Sequence, residues 1–182
     1  MSTCTSWRTG LCGCGFRRRA GAKWVVEVKI GGSTIRNTIG ITDKPSTGTT
    51  NELSSLANAW SYSANGYVYN NGSDIGGSYA SYTTNDIIGI YLDLDNNKLY
   101  FSINGTLQNS GTGISVTDVA NTNEGAYFFC VGDDNAYAER RFETNFGNPI
   151  SALSSAVSDD NGYGNFEYSP NITGDSVAKK FY

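Results

Sequence analysis

Alternation of apolar and polar residues is the strongest pattern in this chain. Between residues 86 and 106, apolar side chains occupy every second position in two successive runs: Ile88, Ile90, Leu92 and Leu94, then Leu99, Phe101 and Ile103. A period of two is that of a β-strand with one face in a core. Residues 95–98 between the runs favour turns, and Asn104 followed by Gly105 is a strong hairpin signal. The segment predicts two buried antiparallel strands and a second tight turn.

Shorter segments of the same character run along the chain. They predict strands over residues 23–30, 35–41, 57–62, 67–69, 114–119, 126–131, 141–146 and 166–168. We expect 35–41 to be the antiparallel neighbour of 23–30, and we expect Glu27 and Lys29 to lie on a solvent face. Residues 50–59 predict one or two helical turns. Many short strands between Gly- and Asn-rich turns predict an all-β fold, a two-sheet antiparallel β-sandwich.

The composition agrees with this fold class. The 182 residues include 22 glycines and 12 tyrosines but only three prolines and one methionine, a bias typical of short strands and tight turns. The length suits one domain with a sizeable core. We predict an irregular N-terminal segment over residues 1–20 and a sandwich domain over residues 21–182.

Charge and hydropathy weigh against two partner classes. The formal net charge of −4 disfavours binding to a nucleic-acid backbone. No segment approaches the roughly 20 apolar residues that a membrane span needs. The first 22 residues also lack the apolar stretch of a secretory signal. The predicted partners therefore include no nucleic acid and no membrane.

Catalytic chemistry is poorly supported. The chain contains no histidine, which excludes Ser-His-Asp and Cys-His nucleophiles. It carries no phosphate-binding glycine motif. Glycoside hydrolysis would need two carboxylates facing each other across a cleft, and the glutamates form no close pattern of that kind. We therefore predict a protein that is not an enzyme.

The cysteines leave several interpretations open. Cys4, Cys12 and Cys14 lie near the N-terminus, and their spacing lacks the paired form of a zinc site. A disulfide among them and free thiols are the alternatives. Cys130 lies in an apolar run and is predicted to be a buried core residue.

A calcium site at Asp93 and Asp95 is also disfavoured. An EF-hand loop starting at Asp93 would need glycine where Lys98 stands and glutamate where Asn104 stands. We interpret the two aspartates as residues that end a strand and shape its turn. The prediction is that the protein has no metal and no cofactor.

The 86–106 segment resembles a known family. The pattern G-x-x-x-D-x-D-x-x-x-L-x-F-x-x-N-G is similar to that of the SPRY domain, and further similar pieces follow in order. These pieces are Gly21 to Val28, Ile39-Gly40-Ile41, Trp60 with Asn65-Gly66, and Asn145-Phe146-Gly147. The resemblance covers residues 21–182. It implies a concanavalin-like β-sandwich that acts as a protein-interaction module.

The resemblance also implies where a partner binds. SPRY domains recognise partners through variable loops at one end of the sandwich. In this chain the loops after residues 39–41 and 129–131 supply the predicted contact residues, which are Thr42, Asp43, Lys44, Asp133, Asp134, Asn135 and Tyr137.

Tyrosines are the other candidate for a binding function. Five of them cluster around one predicted hairpin and loop: Tyr62, Tyr67, Tyr69, Tyr79 and Tyr82. Tyrosine stacks well on sugars and peptides at low entropic cost. The alternative is that these side chains cover the sandwich, and the sequence leaves both interpretations open.

The texture of the chain, rich in Gly, Asn, Ser, Thr and Tyr, is most similar to SPRY-like domains of bacteriophage structural proteins. That resemblance implies a virion protein, such as a capsid decoration or tail-fibre component, that binds another virion protein or a host-surface protein or glycan and forms homo-oligomers. The first alternative is a cytoplasmic SPRY adaptor that captures a short peptide. The second is a carbohydrate-binding or carbohydrate-active sandwich protein. Oligomeric state would separate the virion protein from the adaptor.

Overall fold

The computed structural model describes residues 14–17, 23–32, 37–44, 53–133, 140–159, 162 and 164–172. Their secondary structure consists of short strands and three 3₁₀ helices, Leu53–Ser55, Asn109–Gly111 and Val119–Asn121. The strands are β1 (Cys14–Arg17), β2 (Lys23–Gly32), β3 (Asn37–Thr42), β4 (Ala59–Ser63), β5 (Val68–Asn70), β6 (Ser73–Asp74), β7 (Ile87–Asp93), β8 (Lys98–Ile103), β9 (Thr106–Leu107), β10 (Ile114–Ser115), β11 (Ala126–Asp133), β12 (Arg140–Asn145), β13 (Val157–Ser158) and β14 (Asn165–Phe166). Among these residues no helix has the length and apolar character to cross a membrane.

Two antiparallel sheets account for most of the strands. Sheet A has the order β1-β11-β3-β4-β5-β6, and sheet B has the order β10-β8-β7-β2-β12 with β9 beside β8. Strands β13 and β14 form a separate pair. Sheet A lies in one compact unit of the chain, and sheet B with the β13–β14 pair lies in another. The predicted all-β, antiparallel fold class is confirmed.

The β7–β8 hairpin forms as its alternation predicts. Ile90 pairs with Phe101, and all but one of the alternating apolar side chains are buried, the last, Ile103, being partly exposed. The Asp93 carboxylate lies at the turn, where its Oδ1 accepts the backbone N–H groups of Asp95 and Asn96, both at 3.1 Å. Asp93 therefore ends its strand and shapes the turn, as we expected.

One predicted strand pairing is wrong. Strand β2 pairs with β7 and β12 in sheet B, whereas β3 pairs with β4 and β11 in sheet A. The described part of the predicted 35–41 strand is thus not a neighbour of residues 23–30, although both lie in strands. Alternation along a chain reports that a strand has a buried face, but it carries no information about which strand lies beside it.

The second correction concerns Glu27, which is buried instead of facing solvent, with 4% of its surface exposed. Its Oε2 accepts the Asn145 side-chain N–H at 3.1 Å and the Glu167 backbone N–H at 2.8 Å. Its Oε1 accepts the Tyr168 backbone N–H at 2.8 Å. Burial raises the pKa of this carboxyl above its ordinary value, although the three hydrogen bonds act in the opposite direction.

Residues 164–172, which we call the C-terminal strap, explain why Glu27 is buried. Phe166 and Ile172 of the strap form a buried apolar cluster with Val25, Tyr91 and Tyr100 of sheet B. These three sheet residues lie on the same face as Glu27, since Val25 is two residues away on β2 and pairs with Tyr91, which in turn pairs with Tyr100. The strap therefore covers the face on which we expected a solvated charge.

Sheet A contains a smaller apolar cluster. Leu53, Ala59 and Cys130 are buried together, with Leu56 packed against them. Of the helical turns predicted for residues 50–59, the described part of that range, residues 53–59, contains one 3₁₀ turn, which carries Leu53. Cys130 is a core residue as predicted, and its burial raises the pKa of the thiol.

The N-terminal segment differs in part from its prediction. Strand β1 lies within residues 1–20, which we expected to be irregular, and it forms the edge of sheet A by pairing with β11. The remaining residues of that segment lie outside the described part of the chain. The domain boundary at residue 21 stays a prediction.

Candidate interaction surface

The register of sheet A separates the two predicted contact loops. Thr42 pairs with Phe128, whereas Asp133 pairs with Asn37. Because Asn37 and Thr42 are five positions apart along β3, the two loops lie at opposite ends of the sheet, about 17 Å apart. Asp134, Asn135 and Tyr137 lie outside the described residues. The structure therefore does not bring Thr42, Asp43 and Lys44 together with Asp133.

At the end of sheet A that carries residues 42–44, Asp43 connects three segments of the chain. Its side chain is fully buried. The Oδ2 atom accepts N–H groups from the Asn58 side chain at 3.1 Å, the Asn123 backbone at 3.2 Å and the Asn123 side chain at 2.9 Å. The Asp43 backbone N–H donates to the Asn58 carbonyl at 3.3 Å. A buried carboxylate with this many donors fixes the relative positions of the loops that supply them.

Thr42 supports the same arrangement. Its hydroxyl donates to the Lys44 carbonyl at 3.2 Å and accepts the Lys44 backbone N–H at 3.3 Å. Thr42 is buried and Lys44 is exposed. Of the three residues predicted here, Thr42 and Asp43 thus shape the loop, and Lys44 is exposed.

Exposed residues surround Asp43, and we call them the Asp43 rim. They come from the three segments that Asp43 joins and from the β5–β6 turn, which approaches because the Gly72 N–H donates to the Ser54 carbonyl at 2.8 Å. The rim comprises Lys44, Ala57, Asn71, Gly72, Asn123, Glu124 and Gly125. It carries one positive and one negative side chain among small and amide-bearing residues.

The rim lies next to a buried tyrosine. The Tyr127 hydroxyl donates to the Thr117 carbonyl at 2.7 Å. Burial is the main cause that raises the pKa of this phenol, and the Asp43 and Asp118 charges add to it. Tyr127 therefore stays neutral and keeps its hydrogen bond throughout the physiological pH range.

The opposite end of sheet A exposes tyrosine. Tyr67 is 50% exposed, and its ring centroid lies 6.2 Å from that of Tyr69. Tyr62 and Tyr82 are buried, and Tyr62 packs against Tyr79 with ring centroids 5.5 Å apart. The cluster predicted from sequence thus divides into two core residues, two half-buried residues (Tyr69 and Tyr79) and one exposed side chain, Tyr67.

Sequence reasoning missed Asn58 and Asn123. They lie 15 and 80 residues from Asp43 along the chain, so no local pattern links them to it. Asn58 adopts a left-handed backbone with φ of 55°, which asparagine tolerates better than most residues.

Two antiparallel sheets that contain most of the strands define an all-β fold. The SPRY domain family matches residues 22–148, and the chain belongs to this family. Among solved structures, the SPRY domain of human HERC1 is similar with a TM-score of 0.58 and 16% identity over 78% of this chain and 82% of that chain. A second human SPRY domain gives a TM-score of 0.52 and 16% identity over 75% of this chain and 86% of that chain. Identities this low establish a shared fold alone. No curated protein sequence matches the chain.

The structure gives a physical reason for two of the family-like motifs. Asn145, in the Asn-Phe-Gly motif, donates to Glu27, in the first strand motif, and its Oδ1 accepts the Gly147 N–H at 2.8 Å. Gly147 has φ of 95°, and a Cβ there would lie 2.8 Å from the Gly164 backbone. Motifs that are 118 residues apart therefore meet at one buried site under the strap.

Proposed function

We propose that this protein is an interaction module without catalytic activity and that it binds a protein partner at the Asp43 rim. The family assignment supports the general role. The specific observation is the buried Asp43 carboxylate, whose three accepted hydrogen bonds hold separate loops in fixed positions. A surface that is ordered before binding loses less conformational entropy when a partner arrives.

The chemistry of the rim suits a short polar peptide. Asn71 and Asn123 are exposed and offer both donors and acceptors. A Cβ added at Gly72 or Gly125 would meet no atom within 4 Å, so the backbone at both positions is open to a partner. Lys44 and Glu124 supply opposite charges, which would fix the direction of a bound peptide.

The virion role predicted from the sequence is a separate, finer proposal. Its support is the composition and motif texture of the chain, since the family match and the human SPRY structures give it none. In that setting the rim would bind another virion protein or a host-surface protein or glycan. In the adaptor setting it would capture a peptide segment of a cellular protein.

The experiment is a selection of peptides from a random displayed library on the immobilised full chain. Affinities of the selected peptides are then measured by calorimetry for the wild type, Lys44→Glu, Glu124→Lys and, as a control at the opposite end of sheet A, Tyr67→Ser. We expect at least one rim variant to weaken binding about tenfold, as loss of a charged contact does, and Tyr67→Ser to leave it unchanged.

Two outcomes would contradict the proposal. Binding lost in Tyr67→Ser and retained in both rim variants would place the partner at the tyrosine end. Failure to select any peptide, combined with a positive glycan array, would replace peptide capture with carbohydrate binding.

A further inference from the structure

Strand β12 leaves one edge of sheet B unpaired by any strand in the described part of the chain. It follows β2 in the sheet order, and no described strand follows it. An unpaired edge presents backbone donors and acceptors to any strand that can match them.

The hydrogen bonding of β2 shows which groups of β12 point outward. The Ile30 N–H donates to the Asp86 carbonyl, and the Ile30 carbonyl accepts from Asn85, so both groups of Ile30 point away from β12. Phe142 lies opposite Ile30. In an antiparallel pair, residues that do not bond to each other direct their backbone groups outward. Phe142 therefore presents its N–H and C=O at the open edge, and Arg140 and Thr144 do the same two residues away.

Among two-fold axes at Arg141, Phe142 and Glu143, the charges on β12 favour the one at Phe142. Arg141 and Glu143 flank Phe142, share one face and form an ion pair of 2.9 Å with the Arg141 side chain 68% exposed. A two-fold axis at Phe142 would place each Arg141 opposite Glu143 of the second copy. An axis at Arg141 or at Glu143 would place like charges directly opposite each other, which destabilises a strand pair.

We propose that the edge of β12 is a homodimer interface in which two copies of this chain pair antiparallel about a two-fold axis at Phe142. The outward N–H and C=O of Phe142 bond to the same groups of the second copy. The self-complementary pattern of a base, an aromatic residue and an acid sets the register. Charged side chains on an edge strand commonly prevent pairing, but here their order attracts a second copy. This inference is independent of the Asp43 rim, which belongs to sheet A.

Charge reversal tests the register directly. In Arg141→Glu, acids at both positions repel those of an identical copy, and in Glu143→Arg two bases do the same. An equal mixture of the two variants restores every opposite-charge pair across the axis. We expect light scattering to report a wild-type dimer, a dissociation constant about tenfold higher for each variant alone, and heterodimers in the mixture.

Hydrogen exchange locates the interface. The amides of Phe142 and Thr144 should become more protected as the wild-type concentration rises, whereas those of Arg141 and Glu143, which face β2, should not change. Thermal unfolding of each variant confirms that the fold is retained. A wild type that stays monomeric at every concentration overturns the proposal. A dimer that survives both single variants, or a mixture that stays monomeric, also overturns it.

Discussion

At the residue scale, Glu27 joins parts of the chain that are far apart in sequence. Its carboxylate accepts hydrogen bonds from N–H groups of Asn145, Glu167 and Tyr168. Because the site is buried, an N–H group that loses this acceptor cannot bond to water instead. An amide in this position would turn its own N–H group toward at least one of these donors. A buried donor without an acceptor costs about 1–3 kcal/mol.

We therefore expect Glu27→Gln to lower the free energy of unfolding by about 1–3 kcal/mol at neutral pH. This free energy is measured by urea unfolding monitored through tryptophan fluorescence. Glu124→Gln, on the exposed rim, is the matched control and should change stability by less than about 0.5 kcal/mol. Equal losses in the two variants would show that the Glu27 hydrogen bonds contribute little.

The same residue predicts a pH dependence. Because the pKa of Glu27 is raised in the folded state above its ordinary value of 4.5, the folded state holds the proton more tightly than the unfolded state. The stability from this group is fully present below pH 4.5 and is lost as pH rises through the raised folded pKa. The difference in stability between wild type and Glu27→Gln should thus be larger at acidic than at neutral pH. A difference that grows as pH rises would mean that the three hydrogen bonds outweigh burial.

Gly40 is a second residue with no substitute. A Cβ at this position would lie 1.9 Å from the Trp60 carbonyl oxygen and 2.9 Å from the Ser61 Cα, both backbone atoms of the neighbouring strand β4. Backbone in the middle of a sheet cannot move aside without breaking its ladder. This close approach is the physical reason for glycine in the Ile-Gly-Ile motif of β3.

We expect Gly40→Ala to lower the free energy of unfolding by about 3 kcal/mol. The control is Gly72→Ala, where φ is 75° but nothing lies within 4 Å of the added Cβ. The control carries only the left-handed backbone cost of about 1 kcal/mol. Chemical denaturation of both variants makes the comparison, and a Gly40→Ala loss no greater than that of the control would contradict the steric argument.

At the element scale, the turn after β8 is fixed by one side chain. Asn104 has φ of 47°, its Oδ1 accepts the Ile87 N–H at 2.9 Å, and its Nδ2 donates to the Asp86 carboxylate at 2.7 Å. The side chain thus connects the end of β8 to the beginning of β7. The Asn-Gly signal predicted the turn, but the connection to β7 depends on the pairing of the two strands.

Asn104→Ala should therefore destabilise the protein more than Asn71→Ala does. Both asparagines have a left-handed backbone, with φ of 47° and 50°. The cost of placing alanine in this conformation is therefore the same in the two variants. The two hydrogen bonds of Asn104 should add about 1–2 kcal/mol to the loss. The measurement is the midpoint of urea unfolding for both variants. Equal midpoints would show that the two hydrogen bonds of the Asn104 side chain do not stabilise the fold.

The elements also show what local sequence can predict. The β7–β8 hairpin lies within 17 residues, so its alternation, turn and pairing could all be anticipated together. The pairing of β2 with β7 and β12 spans much longer separations, and the predicted partner was wrong. Glu27 was misplaced for the same reason, because the strap that buries it begins more than 130 residues later.

At the scale of the whole molecule, the domain extends beyond the matched family region. The SPRY match ends at residue 148, yet Phe166 and Ile172 are buried against sheet B. Burying each of these side chains contributes roughly 2–3 kcal/mol. The strap is therefore an integral part of the fold.

We expect a chain that ends at residue 148 to be less stable than the full chain by about 4–6 kcal/mol, a large part of the stability of an ordinary domain. Point variants locate the effect. Phe166→Ala should cost about 3 kcal/mol or more, whereas Ile150→Ala should change stability by less than about 0.5 kcal/mol, because Ile150 is 83% exposed. Thermal unfolding measures all three, and a truncated chain as stable as the full one would show the strap to be dispensable.

Only part of the candidate site could be predicted from the sequence, because the rest depends on which strands pair. Thr42, Asp43 and Lys44 could be placed at a strand end from sequence because the strand before them is distinct. Their separation from Asp133 follows from the antiparallel pairing of β3 with β11, which local patterns do not report. The contacts of Asp43 with Asn58 and Asn123 depend on tertiary structure in the same way.

The strap also sets the order in which the protein can mature during synthesis. Glu27 is among the first strand residues to leave the ribosome, but the backbone groups that it binds follow 140 and 141 residues later. Until they emerge, the carboxylate must remain hydrated, because burying a charge without its donors is costly. Strand β2, the first strand of sheet B to be synthesised, thus cannot complete its hydrogen bonds until the strap, the last described segment, has been synthesised. Premature termination anywhere before the strap yields a chain in which the apolar face of sheet B is uncovered.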